Sequence, residues 1–318
     1  MKLHVVTCVS NPVRFQSRYR LYRDFAKHLQ DSGVDLYTVE CAFGNRPFEV
    51  TDASNPRHLQ LRTDCEMWHK ENLLNLMIAR LPSDWEYAAW IDADVHFIRP
   101  DWAAETVQQL QHHDVVQLFS EAHDLGPNQH TFARYRSFAH SFTEGIPRLQ
   151  GAGYYGGAPA QREPGIAYYH HPGYAWAIRR SAFDAVGGLL DFAVVGEADW
   201  IMARSILGEA EQVLYPGISA GYRRAILEWQ GRAVRHLRRN LGFVEGTLLH
   251  YWHGPKAKRN YWDRCRILVD SAFDPETHLK RDWQGLYQLV DRGDAQSLLL
   301  RDGLRDYFRS RNEDAMEL

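Results

Sequence analysis

The chain is poor in cysteine, with four in 318 residues, and none of Cys8, Cys41, Cys65 and Cys265 belongs to a C-x-x-C pair. That scatter excludes a zinc ribbon and a dense disulfide framework, and it suits reduced thiols in a cytoplasmic protein. Long hydrophobic runs are missing as well. None approaches the roughly 18 residues of a membrane span, and no basic segment followed by an apolar core opens the chain, so no membrane partner is expected. Neither sign of charge dominates: 37 Lys and Arg stand against 40 Asp and Glu, a net charge of -3 with a pI near 6.6. A surface built throughout for polyanions is thereby excluded, and any nucleic-acid partner must be met by a local patch. What is present, 45% hydrophobic and 24% charged residues, suffices for one large domain or for a domain with an appendage.

Residues 3–9 form a short β-branched run closed by Ser10-Asn11-Pro12, which reads as a buried strand and its exit loop. Tyr19, Tyr22, Phe25, Ala26 and Leu29 fall at helical spacing over 17–30, and Gly33 leads into a second strand at 34–39. Such a β-α-β unit defaults to parallel pairing. Glu40 ends that second strand, where open α/β sheets place ligand contacts, although a solvated strand end reads equally well. After a weaker strand at 59–61, an amphipathic helix begins near Trp68. It carries Lys70, Glu71, Asn72 and Asn75 in its first two turns, a position suited to phosphate or ribose, with Glu71 read as solvated surface. The next apolar run, from Tyr87 to Ile91, ends in Asp92 and Asp94. These carboxylates share one side of an extended backbone, and no Lys or Arg stands within four residues of either. A divalent cation is their natural partner; the competing reading is a solvated turn.

Trp90-Ile91-Asp92-Ala93-Asp94 resembles the Asp-x-Asp signature of metal-dependent glycosyltransferases of the GT-A fold, family-2-like members included. In those enzymes the signature holds Mn2+ or Mg2+ against the diphosphate of a nucleotide sugar. The resemblance implies Asp92 and Asp94 at the metal and Lys70 and Asn72 at the nucleotide of a donor such as a UDP-sugar, a cofactor that Glu40 would contact from its strand end. A second stretch supports it: a strand over 173–178, then Ser181 and Asp184 at capping-box spacing, Gly187 as a carboxyl cap, and Gly196-Glu197-Ala198-Asp199-Trp200. This is similar to the acceptor half of GT-A transferases, in whose inverting members one acid of the last motif is the general base. Ala198 separates the two acids here. Asp199 is favoured as base, with Glu197 on the sugar hydroxyls, and Asp199 as a helix cap is the alternative. A third stretch, His250-Tyr251-Trp252-His253-Gly254-Pro255-Lys256-Ala257-Lys258-Arg259, resembles the element that completes the cation's shell, and also a group of phage-type, DNA-modifying glycosyltransferases. It implies His253 as a metal ligand and Lys256 and Arg259 as diphosphate contacts, with His250 assigned to the core.

Two further features bear on the acceptor. Residues 120–172 are rich in Gly, Pro, His and Tyr and show little periodicity beyond a helix around 132–142. They read as a long excursion in which Tyr154, Tyr155, Tyr168 and Tyr169 either stack on an acceptor or pack the loop. A helix over 223–241 has an apolar stripe of Leu227, Val234, Leu237 and Leu241. Opposite it lie Arg224, Arg232, Arg235 and Arg239, a solvated face or a site for an anionic polymer. The expected architecture is α/β: a mostly parallel GT-A sheet flanked by helices over 1–276, with a donor half to about 119 and an acceptor half from 120. A helical appendage and a fraying polar tail follow over 277–318. The expected reaction is inverting transfer of a sugar to a hydroxyl, on a 5-hydroxymethylpyrimidine in DNA or on a saccharide or lipid. A nucleotidyltransferase is disfavoured because Ser10-Asn11-Pro12-Val13-Arg14 replaces its Gly-rich basic loop. A non-catalytic nucleotide-sugar-binding module is the remaining rival.

Overall fold

The structure, a computed structural model, describes residues 2–145 and 167–317, with the backbone alone over 167–170. Seven strands, β1 (Leu3–Ser10), β2 (Asp35–Phe43), β3 (His58–Thr63), β4 (Tyr87–Ile91), β6 (Val115–Gln117), β10 (Ala175–Arg179) and β11 (Leu241–Phe243), form a central sheet in the order β11-β6-β10-β4-β1-β2-β3. β1 to β4 are mutually parallel, whereas β10 runs antiparallel to both its neighbours. The expected α/β class, a large and mostly parallel sheet flanked by helices, is what is found. β1 and β4 read as near-continuous apolar runs because both of their faces are covered. On one side Val5, Ala89 and Ile91 pack under Phe25 and Leu29 of helix α1 (Gln16–Asp31). On the other, Val6, Ala88 and Trp90 meet Leu73 and Met77 of helix α2 (Lys70–Ile78) and Trp200 of the helix Ala198–Ile206.

A second sheet, in the order β5-β12-β7-β8-β9, consists of β5 (Val95–Phe97), β12 (Thr247–His250), β7 (Glu121–Leu125), β8 (Thr131–Ser137) and β9 (Ala167–His171). Its first strand begins just beyond Asp94, so the turn that carries the two aspartates joins the sheets. Among the described residues of the 120–172 excursion, 121–125, 131–143 and 167–171 are regular structure. The helix expected around 132–142 is mostly strand β8, followed by the short helix Phe138–Thr143.

Three other expectations are corrected. The arginine-bearing helix spans Ala220–Leu237 and buries Tyr222, Ile226, Trp229, Ala233 and Leu237, while Val234 is 43% exposed, so its true stripe differs from the one read in the sequence. Ser181 and Asp184 form no capping box, because the helix Arg180–Val186 has its N-cap at Arg179, two residues before Ser181; Gly187 does close it in the left-handed conformation, at φ 79°. The appendage is one hairpin and one long helix, Ala295–Ser310, and the start of the tail packs on the domain: Arg311 and Glu313 are buried. No helix among the described residues is long and apolar enough to cross a membrane.

Candidate active site

A cavity of about 370 Å³ opens where β1 and β4 end, walled by α2, the second sheet, the acidic motif and the segment 253–264. Its size lies within the range of ligand sites, about 300–1,000 Å³. The two aspartates divide at its floor. Asp92 forms an ion pair with Lys70, which α2 delivers from 22 positions earlier in the chain. Burial works against the Lys70 charge, but Asp92, Glu71 and Asp199 outweigh it and hold the ammonium above its ordinary range. Asp92 therefore already has a cation. Asp94 faces the other way, with Oδ2 3.1 Å from His253 Nε2 and Oδ1 3.9 Å from His250 Nε2. Among the described residues Asp94, His250 and His253 are a group whose ligand atoms lie within 4.8 Å of one another. His250, assigned to the core from sequence, is thus a member of the cluster, in the place expected for Asp92.

The proton positions can be deduced from the partners. His250 Nδ1 lies 2.8 Å from Asp124 Oδ1, and an ionised carboxylate can only accept, so Nδ1 carries the proton and Nε2 presents a lone pair. Burial lowers the pKa of His250, against the opposing pull of Asp124, which favours the neutral ring. His253 Nε2 lies between Arg259 Nη2, 3.0 Å away, which only donates, and Asp94 Oδ2, 3.1 Å away, which only accepts, so its two neighbours make opposite demands on it. The two Nε2 atoms are 3.2 Å apart, and Asp94 Oδ1 is buried without a hydrogen-bond partner among the described residues. Burial opposes the Asp94 charge, but His253, His250 and Arg18 hold its carboxyl well below the usual range. With its proton on Nδ1, His253 would join Asp94 and His250 as the third of three converging acceptors. That donor set fits a divalent cation.

Behind the cluster, Asp124 is fully buried. It accepts from His250 and from Tyr174 Oη at 2.8 Å, and it pairs with Lys256. Lys256 is also 3.2 Å from Tyr135 Oη, and Arg259 donates to Tyr261 Oη at 3.0 Å, so both expected diphosphate contacts line the cavity. Opposite them stands the acidic motif. Glu197 accepts from Tyr222 Oη through one oxygen, and its other oxygen is buried without a partner among the described residues. Asp199 accepts from Trp200 N at 2.7 Å, within the first turn of its helix. Burial, with a contribution from Asp92 and against Lys70, raises its pKa. Gly173 leaves the space its carboxylate needs, because a Cβ there would stand 2.8 Å from Asp199 Oδ2. Glu71, read as solvated surface, is instead 4% exposed and lines the cavity; burial, against Lys70, pushes its carboxyl up to about 8.

Several sequence candidates lie elsewhere. Glu40 is buried at the end of β2, where its carboxylate takes the N–H groups of Glu49, Val50 and Thr51 and so anchors its own loop. Asn72 is fully buried on the far side of α2, accepting from Tyr287 N at 3.0 Å and so docking the appendage. Arg224 pairs with Glu276, Arg232 donates to Val186 O and Arg239 to Leu207 O; Arg235 is exposed. Tyr154 and Tyr155 lie outside the described residues, and Tyr168 and Tyr169 belong to β9 by backbone alone. Sequence reasoning missed Asp124, Arg18 and Glu313. No local pattern marks them, because each acts on partners far away in the chain.

No protein-family model and no curated protein matches the chain. Among solved structures it is similar to the catalytic domain of Drosophila beta1,4-galactosyltransferase 7 in complex with xylobiose, at 14% identity and a TM-score of 0.34, over 65% of this chain and 61% of that one. Another crystal structure of that fly enzyme contains manganese, UDP-Gal and xylobiose, and matches at a TM-score of 0.36. A protein of Desulfovibrio desulfuricans G20, provisionally named a nucleotide-diphospho-sugar transferase, matches at 12% identity and a TM-score of 0.35 over 96% of this chain and 99% of that one. The chain spans about three fifths of the fly structure it matches. Likeness of this degree says nothing about chemistry, which rests on the site alone.

Proposed function

We propose that the chain is a metal-dependent glycosyltransferase that moves a sugar from a nucleoside diphosphate sugar, of which a UDP-sugar is the leading candidate, to a hydroxyl acceptor with inversion. The observation that carries this reading is the meeting, in one cavity, of an Asp94, His250 and His253 cluster with cations on one side and the half-buried, cavity-facing Asp199 carboxylate on the other. Asp94, His250 and His253 would hold the cation, which supplies Lewis-acid stabilisation to a departing diphosphate. Two imidazoles and one carboxylate suit Mn2+ better than Mg2+, which prefers an all-oxygen shell. Arg259 and Lys256 add positive charge beside the same phosphates. Asp199 takes the proton of the acceptor hydroxyl, and its raised pKa makes it a stronger base than an exposed aspartate. Glu197, fixed by Tyr222 with one oxygen unspent, orients a sugar hydroxyl. Lys70 keeps Asp92 neutralised, so that Asp92 serves the donor side through this ion pair and not as a metal ligand.

The acceptor we propose is a saccharide hydroxyl. A DNA acceptor with a 5-hydroxymethylpyrimidine would draw on the arginine face for its phosphates, and Arg224, Arg232 and Arg239, although exposed, each already bond within their own chain. The test begins with thermal stability in a panel of nucleotide sugars, with and without Mn2+. A Mn2+-dependent stabilisation by one donor class is expected, followed by transfer to saccharides and not to hydroxymethylated DNA. Stabilisation by nucleoside triphosphates alone would favour a nucleotidyltransferase, and donor binding without turnover on any acceptor would favour a binding module.

A further inference from the structure

The segment that follows the helix Ala295–Ser310 lies against the back of the metal cluster. Glu313 is 1% exposed, and its Oε2 stands 3.6 Å from His253 Nδ1, the ring nitrogen that faces away from Asp94. Two guanidinium groups hold that carboxylate: Arg18 of α1, whose Nη2 donates to Oε1 at 2.7 Å, and Arg311. The neighbouring residues pin the backbone. Asp314 accepts from Gln16 N and Ser17 N at 2.9 and 2.7 Å, Ser17 Oγ donates to Glu313 O at 3.1 Å, and Trp252 Nε1 donates to Ala315 O at 2.7 Å. The approach to the histidine loop is as close as a backbone allows. Gly254 has φ +84°, and a Cβ on it would stand 2.7 Å from Asn312 O and from Glu313 Cα. One segment is thereby fastened both to α1 and to the loop that presents His253.

We infer that Glu313 is a positioning residue for the metal centre: its carboxylate, 3.6 Å from His253 Nδ1 and acting by charge, not by a direct hydrogen bond, orients the His253 ring so that Nε2 is offered to the cation alongside Asp94 and His250. This inference rests on the metal-dependent reading of the site. Its physical basis is that a ligating imidazole gains orientation and basicity from a carboxylate at its other nitrogen, an arrangement whose loss costs about 10–100-fold in metal affinity. Asp124 stands closer to His250, in a hydrogen bond of 2.8 Å to its Nδ1. Each histidine of the cluster thus has its own buried carboxylate, one from the second sheet and one from the far end of the sequence.

The experiment is titration of the full chain with Mn2+ in the presence of UDP, read by the loss of the free-ion EPR signal, for the wild type, Glu313→Gln and Arg18→Lys. Glu313→Gln keeps the volume and removes the charge, and about 10-fold or greater weakening is expected at a temperature where the variant is folded. Arg18→Lys loosens the hold on Glu313 and should weaken Mn2+ by a smaller factor; it decides the question if Glu313→Gln does not fold. A carboxylate that served only the fold would lower the melting temperature and leave the affinity of the folded protein unchanged. Unchanged Mn2+ affinity in the folded variants therefore overturns the inference while leaving the metal reading in place. A wild type that binds no Mn2+ overturns that reading and the inference with it.

Discussion

Asp124→Asn tests the buried network beneath the metal cluster. In the wild type one fully buried carboxylate answers three donors, Tyr174 Oη, His250 Nδ1 and the Lys256 ammonium. An asparagine retains one acceptor oxygen and adds two N–H groups, so it cannot serve all three, and it leaves Lys256 without a counter-ion. Removing one member of a buried pair costs about 3–5 kcal/mol. Because the Lys256 side chain keeps 26% of its surface exposed, the lower end applies, about 3 kcal/mol. For a chain of 318 residues that is a fall of about 4–5 °C in melting temperature, measurable by scanning calorimetry at pH 7. The pH dependence has a definite sign. Burial opposes the Asp124 charge, but Lys256 and His250 hold its carboxyl well below the usual range. Its contribution is therefore complete above the ordinary carboxylate pKa of about 4 and fades as pH falls below that, so wild type and variant should converge in acid. A melting temperature within about 2 °C of the wild type at pH 7 would refute the network as described.

Two further substitutions separate chemistry from stability. Asp199→Asn should lower turnover by about 100-fold or more while donor affinity, by calorimetry, changes little, since it removes a proton acceptor and almost no volume. An active Asp199→Asn with a dead Glu197→Gln would reverse the two roles. Glu71→Gln should flatten the dependence of melting temperature on pH. Glu71, with its carboxyl near 8 in the folded protein, binds a proton there that the unfolded chain releases near 4.5, so the wild type loses stability as pH rises through that window. Parallel melting curves of wild type and Glu71→Gln across pH 5–8 would refute this.

The parts of the fold that were legible in the sequence are those that local pattern controls. β1 and β4 announced themselves as buried strands because covered parallel strands carry apolar residues on both faces, and α1 because its apolar residues keep helical spacing over four turns. The acid pair at the end of β4 was visible for the same reason, but its division was not. Lys70 neutralises Asp92 from another element, and an ion pair between elements leaves no trace in the residues around either partner. The arginine helix was misphased because Trp229 and Tyr222 supply its buried face and Val234 does not, so a count of aliphatic residues alone picks the wrong stripe. Glu40 and Asn72 sat where ligand contacts are common, yet each satisfies backbone groups of its own chain, a demand that only the loop conformation and the docked appendage reveal. Glu313 was hidden in a polar stretch that resembles a loose end, and its role depends on two arginines and a histidine brought together by the fold.

The central claim is that Asp94, His250 and His253 hold a cation on which sugar transfer depends. It is tested most directly by measuring turnover of the stabilising nucleotide sugar, as release of its nucleoside diphosphate, against Mn2+ concentration in the wild type and in Asp94→Ala. Saturable dependence on Mn2+ in the wild type is expected, with loss of activity in excess chelator and none recovered in a folded Asp94→Ala at any Mn2+ concentration. Full activity in chelator, or in Asp94→Ala, would contradict the account.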